Sequence, residues 1–431
     1  MWFQRRYVVL VVFCLILFSF FSLYSHFKIP GSIRVEETLK IVPESRWPVL
    51  RDDLDLQSLS LALERNLVYL KKLSGKRNFN YGSQVVSADQ VLAAQIKLLD
   101  FIKQNPGVQE LELFLKKKFK LLESVSRSRL PWRKKENPVL FTGYYVPTLR
   151  GSRQPDEKYR YPLYKKPVDL VVVDLSKFNL HRRVRNLWPW LAKLPFGPRL
   201  EELRFPTLRG RLLENGKIVP YHTRSEIDYD GKLREDNLEL VWVDDEIDRF
   251  FLQIQGSGRV CLGDGQTMMV GYAAANGHPY RSIGGWLIRQ GLMKREAVSM
   301  PSIRAWIRKH PERMAEIFKD NPSYVFFREL PTPEALGCYQ IPVTAGRSIA
   351  TDRKLFPGGA LALITTELPT FSPAAEITGW RSCSRLVLNQ DTGGAIKGPY
   401  RVDLYCGDDR PAELVAGVMK QPGRLFFFVP R

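Results

Sequence analysis

Residues 390–407 read QDTGGAIKGPYRVDLYCG, a glycine-rich turn between two β-like runs. The run before it, RLVLNQ at 385–390, is mostly apolar, and the run after it, RVDLYC at 401–406, alternates polar and apolar residues. Short runs of these two kinds, bounded by Gly, Pro and Asp, are typical of β-strands. The stretch therefore predicts two strands joined by a loop, with an aspartate on each side of the loop.

The two aspartates differ in their predicted surroundings. Side chains alternate along a strand, so Val402 and Leu404 share one face while Arg401 and Asp403 share the other. Asp403 then stands among polar groups, and its pKa depends on its burial and on the cations Arg401 and Lys397. From these residues alone, a catalytic aspartate and an ordinary surface aspartate are both open.

Asp391 ends the apolar run and is followed at once by Thr-Gly-Gly. A short carboxylate in this position commonly accepts hydrogen bonds from the backbone N–H groups of the turn. The pattern favours a structural role for Asp391 over a catalytic one.

Outward from this stretch, the residue pattern of the chain changes near residue 138. Beyond that point it consists of short β-like runs separated by turn residues, among them LVVVDL (170–175), FFLQIQ (250–255) and LALIT (361–365). Only one stretch there, about 299–319, is predicted as a helix. This pattern predicts a mainly β fold of barrel or sandwich type for residues beyond 138.

The segment from about 50 to 125 is instead predicted to be helical. Leucines recur at spacings of three and four from Leu56 to Leu70, and Ser87 with Gln90 forms a capping-box signature before a second helix. A third helix is predicted over ELELFLKKKFKLLE (110–123). Its lysines 116–118 fit a solvated helix face, or contact with an anionic polymer.

Charge and the N-terminus narrow the class of partner. Lys and Arg outnumber Asp and Glu by 65 to 45 in 431 residues, which favours a polyanion: nucleic acid, anionic lipid or an acidic cell-wall polymer. Arg5 and Arg6 precede an uncharged apolar run at 7–24, the layout of an export signal or a membrane anchor. Export argues against nucleic acid, and Cys14 lies inside the apolar run, where a lipid-attachment cysteine is not expected.

The sequence lacks the motifs of several common classes of enzyme and metal site. The sequence has no G-x-S-x-G, no H-E-x-x-H and no C-x-x-C, so we predict neither a serine esterase, nor a metal site, nor any cofactor. Four cysteines lie beyond the N-terminal run and would allow three disulfide connectivities if all were paired. These are Cys261, Cys338, Cys383 and Cys406.

Two further stretches offer groups suited to a sugar. If FFLQIQ is a strand, Gln253 and Gln255 share one face and lead into Gly256-Ser257-Gly258, and amides and exposed backbone suit the many directional hydrogen bonds of sugar hydroxyls. In FTGYYVP (141–147), Thr142 and Tyr144 could bond to or stack on a sugar, although such residues are equally normal in a β core.

Taken together, several stretches resemble the membrane-bound lytic murein transglycosylase A family, which carries a C-terminal three-aspartate (3D) domain. The resemblance runs in order from about residue 138 to the C-terminus. The matching stretches are FTGYYVP (141–147), YHTRSEID (221–228), WVDDEIDRFFLQIQGSGRV (242–260), GYAAANGHPYRSIG (271–284), NPSYVFFRE (321–329), PVTAGRSIATDRKLFPGGALA (342–362) and DTGGAIKGPYRVDLYCG (391–407).

The resemblance implies a mainly β fold in which a double-psi β-barrel receives an inserted second β-rich domain. We expect a signal or anchor at 1–30, a helical segment at 50–128, the barrel at 130–150 plus 335–431, and the inserted domain at 151–334. The glycan would lie in a groove between the barrel and the inserted domain.

The resemblance also implies roles for residues. Asp403 would be the single catalytic acid/base, and Asp391, Asp352 and Lys397 would support the site. The expected substrate-binding residues are Thr142, Tyr144, Gln253, Gln255, Ser257, Gly394 and Ala395.

The implied activity is cleavage of the β-1,4 bond between MurNAc and GlcNAc of peptidoglycan with formation of a 1,6-anhydroMurNAc end, in the periplasm or cell envelope. A lone carboxylate suffices if the substrate supplies the nucleophile, whereas a hydrolase needs a second one. Two alternatives stay open: a muramidase whose second carboxylate is Asp391 or an acid of 244–248, and a peptidoglycan-binding scaffold without turnover. Expected partners are glycan strands, the membrane through the N-terminal run, and a cell-wall synthesis complex.

Overall fold

The computed structural model describes residues 38–73, 75, 77–125, 138–174, 207–394 and 396–431. The expected signal or anchor at 1–30 and Ala395 lie outside these residues. Within them, no helix combines the length and the apolar character needed to cross a membrane. The chain divides into two compact units, and the elements that form the site belong to the larger one, 35–128, 132–171 and 209–431.

The strands of the described residues are short in the first half of the chain and longer near its end. In order they are β1 (Leu39–Val42), β2 (Asn78–Tyr81), β3 (Gln84–Ser87), β4 (Phe119–Ser124), β5 (Val139–Tyr144), β6 (Thr148–Ser152), β7 (Tyr161–Tyr164), β8 (Leu170–Asp174), β9 (Thr207–Leu212), β10 (Ile218–Val219), β11 (Glu239–Val243), β12 (Ser257–Leu262), β13 (Thr267–Ala275), β14 (Val325–Glu329), β15 (Ser348–Ala350), β16 (Leu361–Phe371), β17 (Ile377–Asp391), β18 (Arg401–Tyr405) and β19 (Lys420–Pro430).

The helices are concentrated in the N-terminal segment and between β10 and β14. They are α1 (Leu56–Leu73), α2 (Ala88–Ile102), α3 (Val108–Lys118), α4 (Arg224–Asp228), α5 (Glu246–Gln255), α6 (Ile283–Arg289), α7 (Met300–Lys309), α8 (Met314–Asp320) and α9 (Arg410–Val418), with 3-10 turns at Glu44–Arg46, Arg295–Ala297 and Pro311–Arg313.

The C-terminal strands close into a barrel. One sheet has the order β1-β4-β19-β16-β17-β15-β18-β5, and β19 also pairs with β5, so the last six strands of this order plus that pairing form a closed ring. The apolar runs of β16 and β19 are buried, with Leu425 to Val429 each at most 1% exposed. Closure pairs these six strands around a ring, and because side chains alternate along a strand, one face of each apolar run fills the barrel interior. The predicted barrel is confirmed, and β1 and β4 of the N-terminal segment extend its sheet.

A second β-rich region lies between β5 and the later barrel strands, as the resemblance implies. It is a six-stranded sheet in the order β14-β13-β12-β6-β11-β7. Its core includes Val241, Val260 and Val270, all fully buried. Two smaller sheets, β10-β9-β8 and β2-β3, complete the described strands. The predictions for LVVVDL and LALIT are confirmed by β8 and β16.

The prediction of a strand over FFLQIQ is wrong, because these residues form the second half of helix α5. Asp245 caps the helix by accepting from the backbone N–H groups of Ile247 at 2.7 Å and Asp248 at 3.1 Å. Gly256 ends it with a φ of 84°, the left-handed region in which glycine is favoured. Residues two apart on a helix point about 200° apart, so Gln253 and Gln255 do not share a face.

Other helix boundaries also differ from the sequence predictions. The stretch at 299–319 is not one helix: α7 ends before Pro311, and α8 begins after a 3-10 turn, since proline cannot donate the next helical hydrogen bond. FKLLE is not the end of the third helix but strand β4, which pairs with β19. Helices α4, α6 and α9 were not predicted. The capping box of Ser87 and Gln90 is confirmed.

Candidate active site

Asp403 lies in the middle of β18, where its register places it between two other strands. Ala350 of β15 stands opposite it on one side and Thr142 of β5 on the other. Its neighbours Val402 and Leu404 are 0% and 1% exposed in the barrel core. The predicted alternation of β18 is therefore confirmed: Asp403 is on the face away from the core residues.

Two side chains hold the Asp403 carboxyl group. The Thr142 hydroxyl donates a hydrogen bond to Oδ1. Arg401 Nε donates to the same oxygen at 3.4 Å, and Arg401 Nη2 donates to Thr142 Oγ1 at 3.1 Å. The carboxyl group thus belongs to a small polar network that orients it, while 18% of its side chain is exposed.

Burial raises the pKa of Asp403 above the usual value for an aspartate, although the Arg401 charge and the Thr142 hydrogen bond act in the opposite direction. A raised pKa keeps the proton on the carboxyl group at higher pH, which is the requirement for a general acid that works near neutrality.

Asp391, the last residue of β17, is held more tightly. Its Oδ1 accepts from the backbone N–H groups of Thr392 at 2.8 Å and Cys338 at 3.0 Å, and its Oδ2 accepts from the Tyr144 hydroxyl at 3.0 Å. Burial is the largest cause that raises the pKa of Asp391 to about 6, against these hydrogen bonds. The bond to Thr392 matches the turn-holding role predicted for it.

Asp352 and Lys397 organise the glycine-rich loop. Asp352 is 7% exposed, and its Oδ2 accepts from the Gly398 N–H at 2.9 Å, where a φ of 84° favours glycine. Lys397 Nζ donates to the Gly393 carbonyl at 3.5 Å. Within the described part of the chain, no hydrogen bond or ion pair joins Lys397 to Asp403, so the expected direct effect of Lys397 on that carboxyl group is not seen.

A cleft of about 1140 Å³ adjoins Asp391 and the glycine-rich loop. It brings together residues of the barrel loop with residues of α5, β12 and β13. Of the residues expected at the site, Gln253, Gln255, Ser257, Asp391, Gly394 and Lys397 line it. Thr142, Tyr144, Asp352 and Asp403 are not among its lining residues. Tyr144 reaches the cleft through the hydrogen bond from its hydroxyl to Asp391.

The two glutamines of α5 have different environments. Gln253 is 4% exposed, and neither Oε1 nor Nε2 has a hydrogen-bond partner among the described residues. Gln255 Oε1 accepts from the Tyr145 N–H at 3.1 Å. Because buried amides almost always find partners, Gln253 is the better candidate for binding a ligand group.

Most of the cationic groups at the cleft were not predicted from the sequence. Lys165, Lys166, Arg209, Arg328 and Arg353 all line it. They are scattered over the chain and form no local motif, so only the folded structure shows that they share one cleft.

The four cysteines beyond the N-terminal run, Cys261, Cys338, Cys383 and Cys406, are free thiols. Burial raises the pKa of Cys338 to about 12, which disfavours the nucleophilic thiolate. In the residues that the structure describes, no three His, Cys, Asp or Glu side chains are placed to hold a metal ion.

Comparison with known families divides the matched part of the chain in two. Residues 140–328 match the MltA specific insert domain, and residues 347–429 match the 3D domain. The second match contains Asp352, Asp391 and Asp403.

Curated relatives carry the same family name. The membrane-bound lytic murein transglycosylase A of Vibrio cholerae is 33% identical over 294 residues, 68% of this chain and 66% of that protein. The protein of the same name from Escherichia coli K12 is 31% identical over 290 residues, 67% of this chain and 65% of that protein. The aligned region therefore spans slightly less than two thirds of these relatives' own length.

Solved structures match over most of the chain. A membrane-bound lytic murein transglycosylase from Agrobacterium tumefaciens has a TM-score of 0.70 at 26% identity, covering 91% of this chain and 98% of that one. MltA from Neisseria gonorrhoeae has a TM-score of 0.62 at 26% identity, covering 91% and 92%. The fold, the two domain matches and the named relatives agree, and the chain belongs to the MltA family of membrane-bound lytic murein transglycosylases.

Proposed function

We propose that this chain cleaves the β-1,4 bond between MurNAc and GlcNAc of peptidoglycan without water, leaving a 1,6-anhydroMurNAc end, and that Asp403 is its only acid/base. The proposal rests on the family and on one observation above all. Asp403 carries a partly buried carboxyl group of raised pKa that is oriented by Thr142 and Arg401, one strand away from Asp391, which lines the cleft.

In the proposed reaction, Asp403 donates its proton to the glycosidic oxygen as the bond to MurNAc C1 breaks. Positive charge develops at C1 and the ring oxygen, and the ionised Asp403 is then a base. The C6 hydroxyl of the same MurNAc attacks C1 while its proton passes to Asp403. The proton balance closes on one carboxyl group, so no second carboxylate is required.

The supporting residues have separate tasks in this proposal. Asp352 and Asp391 hold the two ends of the glycine-rich loop, Asp352 through Gly398 and Asp391 through Thr392. Thr142 orients Asp403. Gln253 and Ser257, with the loop backbone at Gly394, contact the sugars.

A two-carboxylate muramidase is the second candidate, because one specific observation favours it. Asp391 lines the cleft, and its pKa is raised to about 6, so it exchanges its proton near neutral pH. As a base it could activate water, and the product would then be a reducing sugar. Against this, three hydrogen bonds already engage the Asp391 carboxylate.

Mass spectrometry of products separates these candidates. The full chain is incubated with purified peptidoglycan beside the variants Asp403→Asn and Asp391→Asn. We expect muropeptides lighter by one water than their hydrolysed counterparts, lost with Asp403→Asn by a factor of about 10²–10⁴ and still formed by Asp391→Asn. Full-mass reducing sugars would establish the muramidase. Binding without any release would establish the scaffold.

The relatives' names place murein transglycosylases of this family at a membrane, which agrees with action in the cell envelope. We propose that the apolar run at 7–24 directs export or anchors the chain there. We also propose that the chain consists of a barrel of 130–150 plus 335–431, an inserted domain of 151–334 and a helical segment of 50–128. Strand β4 of the helical segment pairs with barrel strand β19. A cell-wall synthesis complex is the proposed partner.

A further inference from the structure

The cleft that adjoins Asp391 is strongly cationic. Seven Lys and Arg side chains line it, six of them exposed or half-buried, whereas its lining acids are Glu329 and Asp391. The six, called the cleft cations, are Lys165, Lys166, Arg209, Arg328, Arg353 and Lys397.

The cleft cations are not used in holding the described fold together by ion pairs. No salt bridge within the described part of the chain includes any of them, whereas Arg224, which also lines the cleft, is buried and pairs with Asp228. Arg328 donates to the side-chain oxygen of Gln340, a neutral partner. Five of the six are exposed, and Arg209 is half-buried.

Five of the cleft cations come from the two β-rich regions, and Arg209 lies on β9 of the three-stranded sheet. Lys165 and Lys166 follow β7, and Arg328 lies on β14, in the six-stranded sheet. Arg353 follows barrel strand β15, and Lys397 lies in the glycine-rich loop. Arg353 lies close enough to Cys338 for its charge to lower the pKa of that thiol, against the larger effect of burial. Positive charge therefore lies near Cys338, the residue that donates a backbone hydrogen bond to Asp391.

We infer that the cleft cations bind carboxylate groups carried by the glycan, so that the cleft selects an anionic glycan over a neutral one. Cations that line one concave surface and are not neutralised by acids focus a positive potential and attract anions. Arginine in particular matches a carboxylate in geometry. A neutral polymer of GlcNAc offers these six groups hydrogen-bond acceptors but no negative charge.

This inference rests on the proposed function for the identity of the glycan. In peptidoglycan the carboxylates have two sources: the lactyl group of MurNAc where no peptide is attached, and the peptide stems where one is. Both present the same chemistry to a Lys or Arg side chain. Only the choice of ligand in the experiment distinguishes them.

The test measures binding, so that it does not depend on turnover. The full chain carrying Asp403→Asn is titrated by calorimetry with neutral chitohexaose, with peptide-free murein glycan and with peptide-bearing glycan. We expect tighter binding of at least one carboxylate-bearing glycan, with an advantage that shrinks as salt is raised. Preference for the peptide-free glycan would assign the lactyl carboxylate, and preference only for the peptide-bearing glycan would assign the stems.

Charge variants locate the effect. Exposed ion pairs contribute little individually, so Arg353→Gln should weaken binding of the anionic glycan about fivefold, and Lys165→Gln with Lys166→Gln somewhat more. Binding of chitohexaose should not change. Lys71→Gln with Lys72→Gln, on the exposed end of α1, is the matched control and should change neither.

Equal affinity for neutral and anionic glycans, or equal losses for both in the charge variants, would overturn the inference. If Asp403→Asn does not fold, the KM of the unaltered chain for the two murein glycans, compared with the inhibition constant of chitohexaose against their cleavage, provides a second measurement. The two proposals fail separately: preserved charge selectivity without cleavage products removes the enzymatic function alone, and anhydro products without charge selectivity remove this inference alone.

Discussion

Asp391 and Asp403 stand on opposite sides of Ala350, each paired with it in register. Asp391 reaches it through the parallel ladder of β17 and β15, and Asp403 through the antiparallel ladder of β15 and β18. Two strand spacings put their backbones about 10 Å apart. The acids are thus neighbours across one intervening strand, yet each carboxyl group has its own partners. We expect separate roles for them.

The pH dependence of the reaction should report the environment of Asp403. Its Thr142 hydrogen bond favours the ionised form, so Thr142→Val should raise the pKa of Asp403 further. The alkaline limb of the pH–rate profile, where Asp403 loses its proton, should then move to a higher pH. We also expect kcat to fall about 10- to 100-fold because the carboxyl group is no longer oriented.

The measurement is the rate of muropeptide release as a function of pH. Thr378→Val, an exposed hydroxyl in the β16–β17 hairpin that bonds Thr370 at 3.0 Å, is the control and should leave the profile unchanged. An alkaline limb at the same pH in Thr142→Val would show that this hydroxyl does not act on the catalytic group.

Asp391 should make stability depend on pH in the opposite sense to a salt-bridged aspartate. Its folded-state pKa of about 6 lies above the value of an unfolded aspartate. Its contribution to the free energy of unfolding is therefore complete below about pH 4 and is lost as pH rises through about 6. The amide introduced by Asp391→Asn cannot ionise, so that variant avoids this loss.

Urea unfolding at about pH 4 and about pH 7.5 tests this directly. We expect Asp391→Asn to match the unaltered chain at the lower pH and to be more stable by roughly 2–3 kcal/mol at the higher one. A variant that is less stable at both values would mean that the hydrogen bonds of the ionised carboxylate outweigh its burial.

The strands and the orientation of Asp403 were predictable because they depend on local alternation. The period of two in RVDLYC and the apolar runs of β16 and β17 correspond to strands in the structure. FFLQIQ misled because a short apolar run does not distinguish a strand from a buried helix. The cap at Asp245 and the stop at Gly256 were visible beside it and would have argued for the helix.

The contacts of the site could not be predicted, because they join residues far apart in the chain. Tyr144 and Cys338 reach Asp391 across separations of 247 and 53 residues. The same holds for Thr142 and Asp403, 261 residues apart. The pairing of β5 with β18 and the closure of the barrel create these contacts, and neither is a local property of the sequence.

Gln253 should contribute to substrate binding and not to stability. Its buried amide has no partner among the described residues, so Gln253→Met, which keeps the length of the side chain, should leave the fold as stable or slightly more stable. If a sugar supplies the missing partners, KM should rise about 5- to 10-fold with little change in kcat.

Steady-state kinetics on soluble glycan fragments would measure this. Gln95→Met is not a suitable control, because that buried amide already binds the Gly359 carbonyl at 2.8 Å. The exposed Gln104→Met serves instead. An unchanged KM in Gln253→Met would leave the glutamine a structural residue of α5.

The N-terminal segment should be necessary for the stability of the barrel. Arg347, fully buried just before β15, pairs with Asp52 at 2.6 Å and also donates to the Asp55 carbonyl at 2.8 Å. Asp52→Asn leaves the guanidinium buried without its counter-charge, so the free energy of unfolding should fall by about 3–5 kcal/mol.

An exposed ion pair of the same segment provides the comparison. Glu64 and Lys103 lie 2.8 Å apart with side chains 46% and 55% exposed. Glu64→Gln should therefore cost less than about 1 kcal/mol. Urea unfolding of both variants at neutral pH gives the two values. Equal small losses would mean that the N-terminal segment is only loosely coupled to β15, and that the strand carrying Ala350 between the two aspartates is held by the barrel alone.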